Sequence, residues 1–570
     1  MKTGVILSLA TAILLGTPAP PVWADDAIGA YLAARQARYD NDFAAAAQYF
    51  TQALAKDPSN PEILESATVA HMSLGDLDRA VPIARKIEAD GLMSQVAFMA
   101  LVADEAKRED YQALFTRIEE DRGVGMLADG LIKAWAFRGE GQMDEALTQF
   151  DAVANERGLR SFAIYHKALA LASVGDYESA EKIFSGEVDG PIQRTRLGTI
   201  AWAEILSQLE RGDDAVAILE DTFGPSPDPE IADLRDRLTA GETLPFTRVR
   251  TAQDGIAEVF FTLGQALMSE SADDYTLLYA RVAEYLKPDH IDALLMTAEL
   301  LESLERFELA NDAYARVPRD HPNFHVAELG RAESLRRAEK TDAAVEVLTQ
   351  LSESHPELPI VHVSTGDLYR QLENWEKSIA AYDRAIEIYD ARDQGQWFVH
   401  YARAISHERL DNWDAAEADF RRALELNPGQ PQVLNYLGYS MVELQINLDE
   451  ALGMIEEAVA AQPNSGYIVD SLGWVLYRLG RYEEAVVHME RAVELEPVDP
   501  VINDHLGDVL WAVGRFTEAE FQWKRALSFV DAENASPDVD ADRIRRKLEV
   551  GLDIVLEEEG SPPLRVADDG

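Results

Sequence analysis

Residues Gly466 to Pro497 read GYIVDSLGWVLYRLGRYEEAVVHMERAVELEP. Their fixed points are Leu472-Gly473, Leu476, Gly480-Arg481-Tyr482, Ala485, Met489, Ala492 and Pro497. Moving forward 34 residues gives Leu506-Gly507, Leu510, Gly514-Arg515-Phe516, Ala519, Trp523 and Ala526. Moving back 34 or 35 gives Leu437-Gly438, Met441, Ala451, Ile455, Ala458 and Pro463. Upstream, Pro288, Pro322 and Pro356 keep the 34-residue spacing, and Pro428 resumes it after a four-residue insertion near Arg392. Small residues hold the eighth position of successive units (Gly264, Ala298, Ala332, Gly366, Ala404), and others stand twelve further on (Ala310, Ala344, Ser378, Ala416). Self-similarity at a fixed period of this length marks a repeat array.

With Gly466 as position one, each anchor has a physical reason. Apolar residues at four, seven and eleven make one stripe along a first helix. Small residues at eight and twenty lie where two antiparallel helices cross, and larger ones would push the axes apart. Glycine at fifteen suits a left-handed residue ending the first helix. Proline at thirty-two stops the second, because it lacks an N–H and clashes with the preceding turn. A lone hairpin cannot bury its apolar face, so the units must stack.

This pattern resembles the tetratricopeptide repeat. The resemblance implies an all-α solenoid of tandem helix–turn–helix units in a right-handed superhelix, about 13–14 repeats in two segments across the 570 residues. The N-terminal segment, 25–222, repeats loosely: a first unit carries Asn41-Asp42-Phe43, Ala46, Phe50, Ala53 and Pro58, and later units are marked by Gly75, Gly141 and Gly175. Pro225, Pro227, Pro229 and Pro245 gather in 223–256, which reads as a linker between segments. The C-terminal array spans 257–533. One amphipathic helix, 538–558, with Ile544, Leu548, Leu552 and Val555 on its apolar face, caps it, and a disordered tail follows at 559–570.

Composition bounds the function. The formal charge is −50, from 102 acidic and 52 basic residues, so phosphate backbones are repelled and nucleic acid is not an expected partner. There is no cysteine, which removes disulfides, thiolate nucleophiles, Cys-ligated zinc and a lipoprotein anchor. Lys2, the apolar run Gly4 to Gly16 and Val22-Trp23-Ala24 form a secretory signal over residues 1–24, cleaved after Ala24. Nothing later is long and apolar enough to span a bilayer, so an exported, periplasmic chain is expected. The nearest approach to a zinc-protease H-E-x-x-H motif is His407-Glu408-Arg409-Leu410-Asp411, which ends in Asp, with His407 at a core position. No G-x-S-x-G, Walker loop or G-x-G-x-x-G occurs, so no enzyme and no cofactor is expected.

The groove carries the functional expectation. In repeats of this kind the first helices line the concave surface, and positions two, five, nine and twelve point into it. In the last four units those positions hold Phe398, Tyr401, Asn435, Tyr439, Tyr467, Asp470, Trp474, Tyr477, Asp504, Asp508 and Trp511, with Tyr436 at position six. Rings with a polar edge are the composition of binding hot spots. Tyr401, Asn435, Tyr436, Tyr439, Tyr467, Asp470, Trp474, Tyr477, Asp504, Asp508 and Trp511 are therefore the candidate partner-binding residues. The alternative is that the rings only stack between neighbouring helices. Position five lacks Lys or Arg, which disfavours a carboxylate clamp and favours a basic or extended peptide.

The stretches Leu434–Tyr439, Tyr467–Trp474 and Asn503–Asp508 are also similar to long Gram-negative envelope repeat proteins. That resemblance implies a scaffold or adaptor, with an envelope protease or assembly factor among its partners. A structural scaffold acting through convex or terminal surfaces is the alternative function.

Overall fold

The computed structural model describes residues 26–188, 190, 194–224, 227–391, 395–530, 539–561 and 564. Residues 1–24, where a secretory signal is expected, and most of the 559–570 tail lie outside these residues. Among the described residues there are 31 helices and no strand. They pair into helix–turn–helix units that stack on their neighbours, an all-α tetratricopeptide-type solenoid.

The anchors behave as their chemistry requires. Pro431 and Pro500 stand in the first turn of their helices, where a missing N–H costs nothing, and Asp499 caps the latter by accepting from Ile502 N at 2.9 Å. A Cβ on Gly473 would lie 2.7 Å from Met489 Cγ, and one on Gly438 would lie 2.8 Å from Ile455 Cγ1. A Cβ on Gly507 would run into the Trp523 ring. The position-eight glycine thus makes room for a bulky residue of the second helix.

The turn at position fifteen is less dependent on glycine than its spacing suggests. Gly480 and Gly514 take φ of +77° and +79°, but Glu305, Glu339 and Glu373 take +59°, +60° and +55° at the same place. The closing bonds match: Arg481 N donates to Leu476 O at 2.9 Å, and Arg306 N to Leu301 O at 2.7 Å.

The chain divides into two compact units, Met1–Val347 and Leu348–Gly570. The division does not fall at the proline-rich stretch. Asp228 caps a helix at Pro229–Thr239 there, and the extended run beyond it buries Leu244, Phe246 and Val249. Glu204 accepts from Thr247 N at 2.9 Å, and Leu244 N donates to Ser207 Oγ at 2.8 Å. Residues 225–226 lie outside the described residues; from Pro227 onward the stretch packs on the preceding repeat, because Leu244, Phe246 and Val249 find a wall to cover.

Within the first unit, the groove of the N-terminal repeats is filled by the chain itself. Helix Ala252–Leu267 packs on Gln95–Lys107, Met126–Gly139 and Arg160–Ser173, and helix Asp273–Leu286 packs on Pro61–Ser73 and Gln95–Lys107. The filler is apolar on most of its circumference: Ile256, Ala257, Val259, Phe260 and Phe261 are all buried. Gly255 lets the Trp135 ring lie against its backbone. Polar ties are few and directed, as in Tyr165 Oη donating to Glu258 Oε1 at 2.8 Å and Arg281 Nε to Ser73 O at 3.0 Å.

In the second unit the expected single capping helix is two, Ala541–Val550 and Leu552–Glu558, broken at Gly551 (φ +86°). The break is where the Trp511 ring presses on the backbone: a Cβ on Gly551 would sit 2.6 Å from Trp511 Cζ2.

Candidate partner-binding groove

Four first helices of the second unit carry the candidate residues: Trp397–Glu408, Pro431–Glu443, Gly466–Arg478 and Pro500–Ala512. Neighbours among them lie side by side, so side chains one repeat apart meet across them. The candidates fall into three groups.

The first group leaves surface uncovered. Tyr401 lies 6.3 Å from Trp397, 6.1 Å from Phe420 and 6.0 Å, edge-on, from Tyr436. Burial pushes the Tyr401 hydroxyl up to about 12, so it is a neutral donor at physiological pH. Tyr436 Oη donates to Glu408 Oε2 at 3.4 Å. Tyr439 is half-buried against the same apolar cluster, Tyr467 is 49% exposed, and neighbouring Phe398 is 36% exposed. Between Tyr401 and Tyr467 in register stands Asn435, 8% exposed, whose Oδ1 is buried and whose amide has no hydrogen-bond partner among the described residues.

The second group is locked between helices. Trp474 is 7% exposed, stacked on His505 at 4.0 Å and 12° and on Tyr477 at 4.9 Å and 17°. Its Nε1 donates to Glu443 Oε1 at 2.6 Å. Asp470 faces His505 Nδ1 at 3.0 Å. Burial opposes a charge on this imidazole, but the carboxylates of Asp470, Asp504 and Asp508 together outweigh it and raise the His505 pKa. Burial raises the Tyr477 hydroxyl well above the usual phenol range.

The third group is held by the C-terminal helices. Lys547 Nζ donates to both oxygens of Asp504 at 2.9 Å and to Asp508 Oδ1 at 2.6 Å. Asp508 also accepts from Trp523 Nε1 at 2.9 Å, and Trp511 Nε1 donates to Asp553 at 3.0 Å.

Against this geometry, models of the tetratricopeptide repeat match residues 37–103, 292–323, 329–393, 397–430 and 469–497. Over these residues the chain is built of tetratricopeptide repeats. Arrays of this repeat are protein–protein interaction scaffolds, typically without catalysis, and the fold implies protein or peptide partners. No curated protein matches the chain. Among solved structures, it is similar to a subunit chain of the APC/C hetero-tetramer Cut9-Hcn1, with 13% identity, 92% of this chain and 96% of that one covered, and a TM-score of 0.37. A tetratricopeptide repeat protein from Parabacteroides merdae shares 16% identity over 46% of this chain and 98% of its own, with a TM-score of 0.37. YrrB, described as a TPR protein with an unusual peptide-binding site, shares 19% identity over 32% of this chain and 93% of its own, with a TM-score of 0.27.

Within the tetratricopeptide array, sequence reasoning missed Glu443, which orients Trp474, and Lys547, Arg543 and Asp553, which engage the end of the groove. Lys547 had a signal: it sits one turn from Ile544 and beside Leu548, on the apolar stripe of its helix. Among the described residues no cluster of His, Asp or Glu is arranged to hold a metal ion, and no helix is long and apolar enough to cross a membrane. The first unit has a cleft of about 570 Å³ lined by Glu204, Glu230, Arg248, Glu258, His290 and Asp292. Its charges answer one another, Arg248 with Asp292 at 3.2 Å and His290 with Glu258 at 3.2 Å, as in an internal ion-pair network.

Proposed function

We propose that the chain is an exported, periplasmic scaffold that grips an extended protein segment along Tyr401, Asn435, Tyr436, Tyr439 and Tyr467 of the second unit. The observation that carries this is the Asn435 amide. Its Oδ1 is covered without a hydrogen bond, which costs about 1–3 kcal/mol, while its Nδ2 makes no hydrogen bond among the described residues and is not covered. An extended backbone laid beside Asn435 offers a carbonyl oxygen to its Nδ2 donor, while the rings of Tyr401 and Tyr467 flank the strand with apolar area and a polar edge. The secretory character of residues 1–24 supports the location. The filled groove of the first unit favours a second mode there, through its convex face and edges.

The test is site-specific photocrosslinking in intact cells from position 467, with a convex position, Glu483, as control. The expected result is a product from 467 only, lost in an Asn435→Ala chain that is folded and exported. Equal products from both positions, or a product indifferent to Asn435→Ala, refute the groove. Recovery of the full-length chain in the cytosol with residues 1–24 intact refutes the location.

A further inference from the structure

The Asp504 and Asp508 carboxylates stand one turn apart on the same face of Pro500–Ala512, where two like charges repel unless a cation lies between them. Lys547 is that cation. Its side chain is fully buried, its ammonium makes three contacts to the pair, and it lies 5.7 Å from the centre of the Trp523 ring. Arg543 adds a longer contact to Asp508 at 3.5 Å.

The helices that carry Lys547 are otherwise lightly attached. Ala541–Val550 buries only Ile544 and Lys547, and Leu552–Glu558 only Leu552 and Val555. Several of their other ties are internal: Arg543 with Glu559 at 2.7 Å, Arg546 with Glu558 at 2.6 Å and Arg546 with Glu549 at 3.2 Å. Arg543–Glu559 and Arg546–Glu558 hold the two helices to each other and Arg546–Glu549 lies within one of them, so none of these ties them to the array. A fixed cap gains more from an apolar residue at 547 than from a buried ammonium, because desolvating three charges offsets most of their attraction. The ammonium contributes selectivity instead: the pocket accepts a primary amine on a helix and rejects an apolar one.

We propose that Asp504, Asp508 and Trp523 form a lysine-recognising pocket, filled in cis by Lys547, and that a basic amphipathic helix of a partner displaces the C-terminal helices to enter it. This rests on reading the second unit as a protein-binding array and adds its regulation: the C-terminal helices are a built-in competitor at one end of the groove.

The probe is a fluorescent peptide with the sequence of residues 540–559, titrated against the full chain. A Lys547→Gln chain, whose own helices compete poorly, binds it at least tenfold more tightly than the unmodified chain does. An Asp504→Asn/Asp508→Asn chain, or a peptide carrying Gln at 547, loses at least tenfold. No binding to the Lys547→Gln chain, or equal binding to the double Asn chain, overturns the proposal. Because Lys547→Gln leaves two buried carboxylates with less compensation, hydrogen exchange on the unmodified chain supplies a second readout. Amides of Ala541–Val550 exchange at least a hundredfold faster than those of Pro500–Ala512 if the helices open on their own, and equal protection identifies a permanent cap and overturns the proposal. Failure of the Tyr467 crosslink bears on the groove reading and leaves this peptide result untouched.

Discussion

Replacing Asn435 by Leu removes a polar group that the fold leaves unpartnered and puts an apolar one of similar shape in its place. Asn435 is 8% exposed, with Oδ1 fully covered and no hydrogen bond from the amide among the described residues. Its chain neighbour Leu434 is buried, and Tyr436 packs on Phe420 at 5.3 Å. Relief of the unsatisfied, covered Oδ1 is worth about 1–3 kcal/mol, and leucine adds apolar burial to it. For a unit of this size each kcal/mol moves Tm by about 2–4 °C. Asn435→Leu therefore raises Tm of the second unit by several degrees, read by circular dichroism and scanning fluorimetry on the full chain, and abolishes the crosslink from position 467. Asn435→Asp lowers Tm, because it places a charge where no cation waits. A stable variant that no longer binds is the signature of a residue kept for its ligand. If Asn435→Leu lowers Tm by an amount worth 1 kcal/mol or more, the amide is satisfied in solution and the reasoning falls.

The remaining predictions concern the scaffold. Gly507→Ala drives a methyl into Trp523, which is fully buried and bonded to Asp508, and costs about 1–3 kcal/mol in thermal unfolding; Gly453→Ala, with nothing within 4 Å of its Cβ in mid-helix, gains about 0.5–1 kcal/mol. Glu305→Gly relieves a left-handed glutamate at φ +59° and stabilises by about 0.5 kcal/mol, since the relief of about 1–2 kcal/mol exceeds the added freedom of the unfolded chain. Burial lowers the His166 pKa from 6.5 to about 4, and Trp135 Nε1 donating to its Nδ1 at 3.2 Å fits the neutral ring. With the folded value below the unfolded one, the stability from this site is complete above pH 6.5 and is lost as the pH falls towards 4, on the order of 3 kcal/mol. An acid titration followed by tryptophan fluorescence accordingly shows a shallower loss across that window in His166→Gln, although that chain is less stable at pH 7.

Much of this architecture is legible in the sequence because the repeat makes the same local demand at the same place. Gly473 and Gly507 are forced by the second-helix residues that cover them, so period and packing agree. Glu305, Glu339 and Glu373 escape a search for glycine because the turn is fixed by bonds to the preceding helix, which a strained residue tolerates. The filled first groove is illegible for a different reason. Helix Ala252–Leu267 carries the repeat's own small residue, Gly264, and only its continuous apolar run hints at burial all round, while its partners lie about a hundred residues earlier. At the groove, the positions of the rings follow from the register, but their exposure does not. Trp474 is closed off by His505, one repeat later, whereas Tyr467, seven residues before it, remains open.

The two fillers differ in the chemistry that holds them. The helices in the first groove bury Ile256, Val259, Phe260, Phe261, Leu277, Leu278, Val282 and Leu286. At about 1.5–3 kcal/mol for each such side chain, as an upper estimate, this is a core in all but sequence order. The helices at the end of the second array bury only Ile544, Leu552 and Val555, and their deepest polar group is an ammonium between carboxylates. By the same measure their apolar attachment is well under half as strong, and the buried ion pair adds selectivity more than stability. Salt separates the two cases, because the tie of half-buried Arg543 to Asp508 of the array is screened and apolar burial is not. The second filler loosens between low and moderate salt while the first does not. That difference in attachment separates a groove that is part of the interior from one whose filler can be exchanged, as the proposed interface requires.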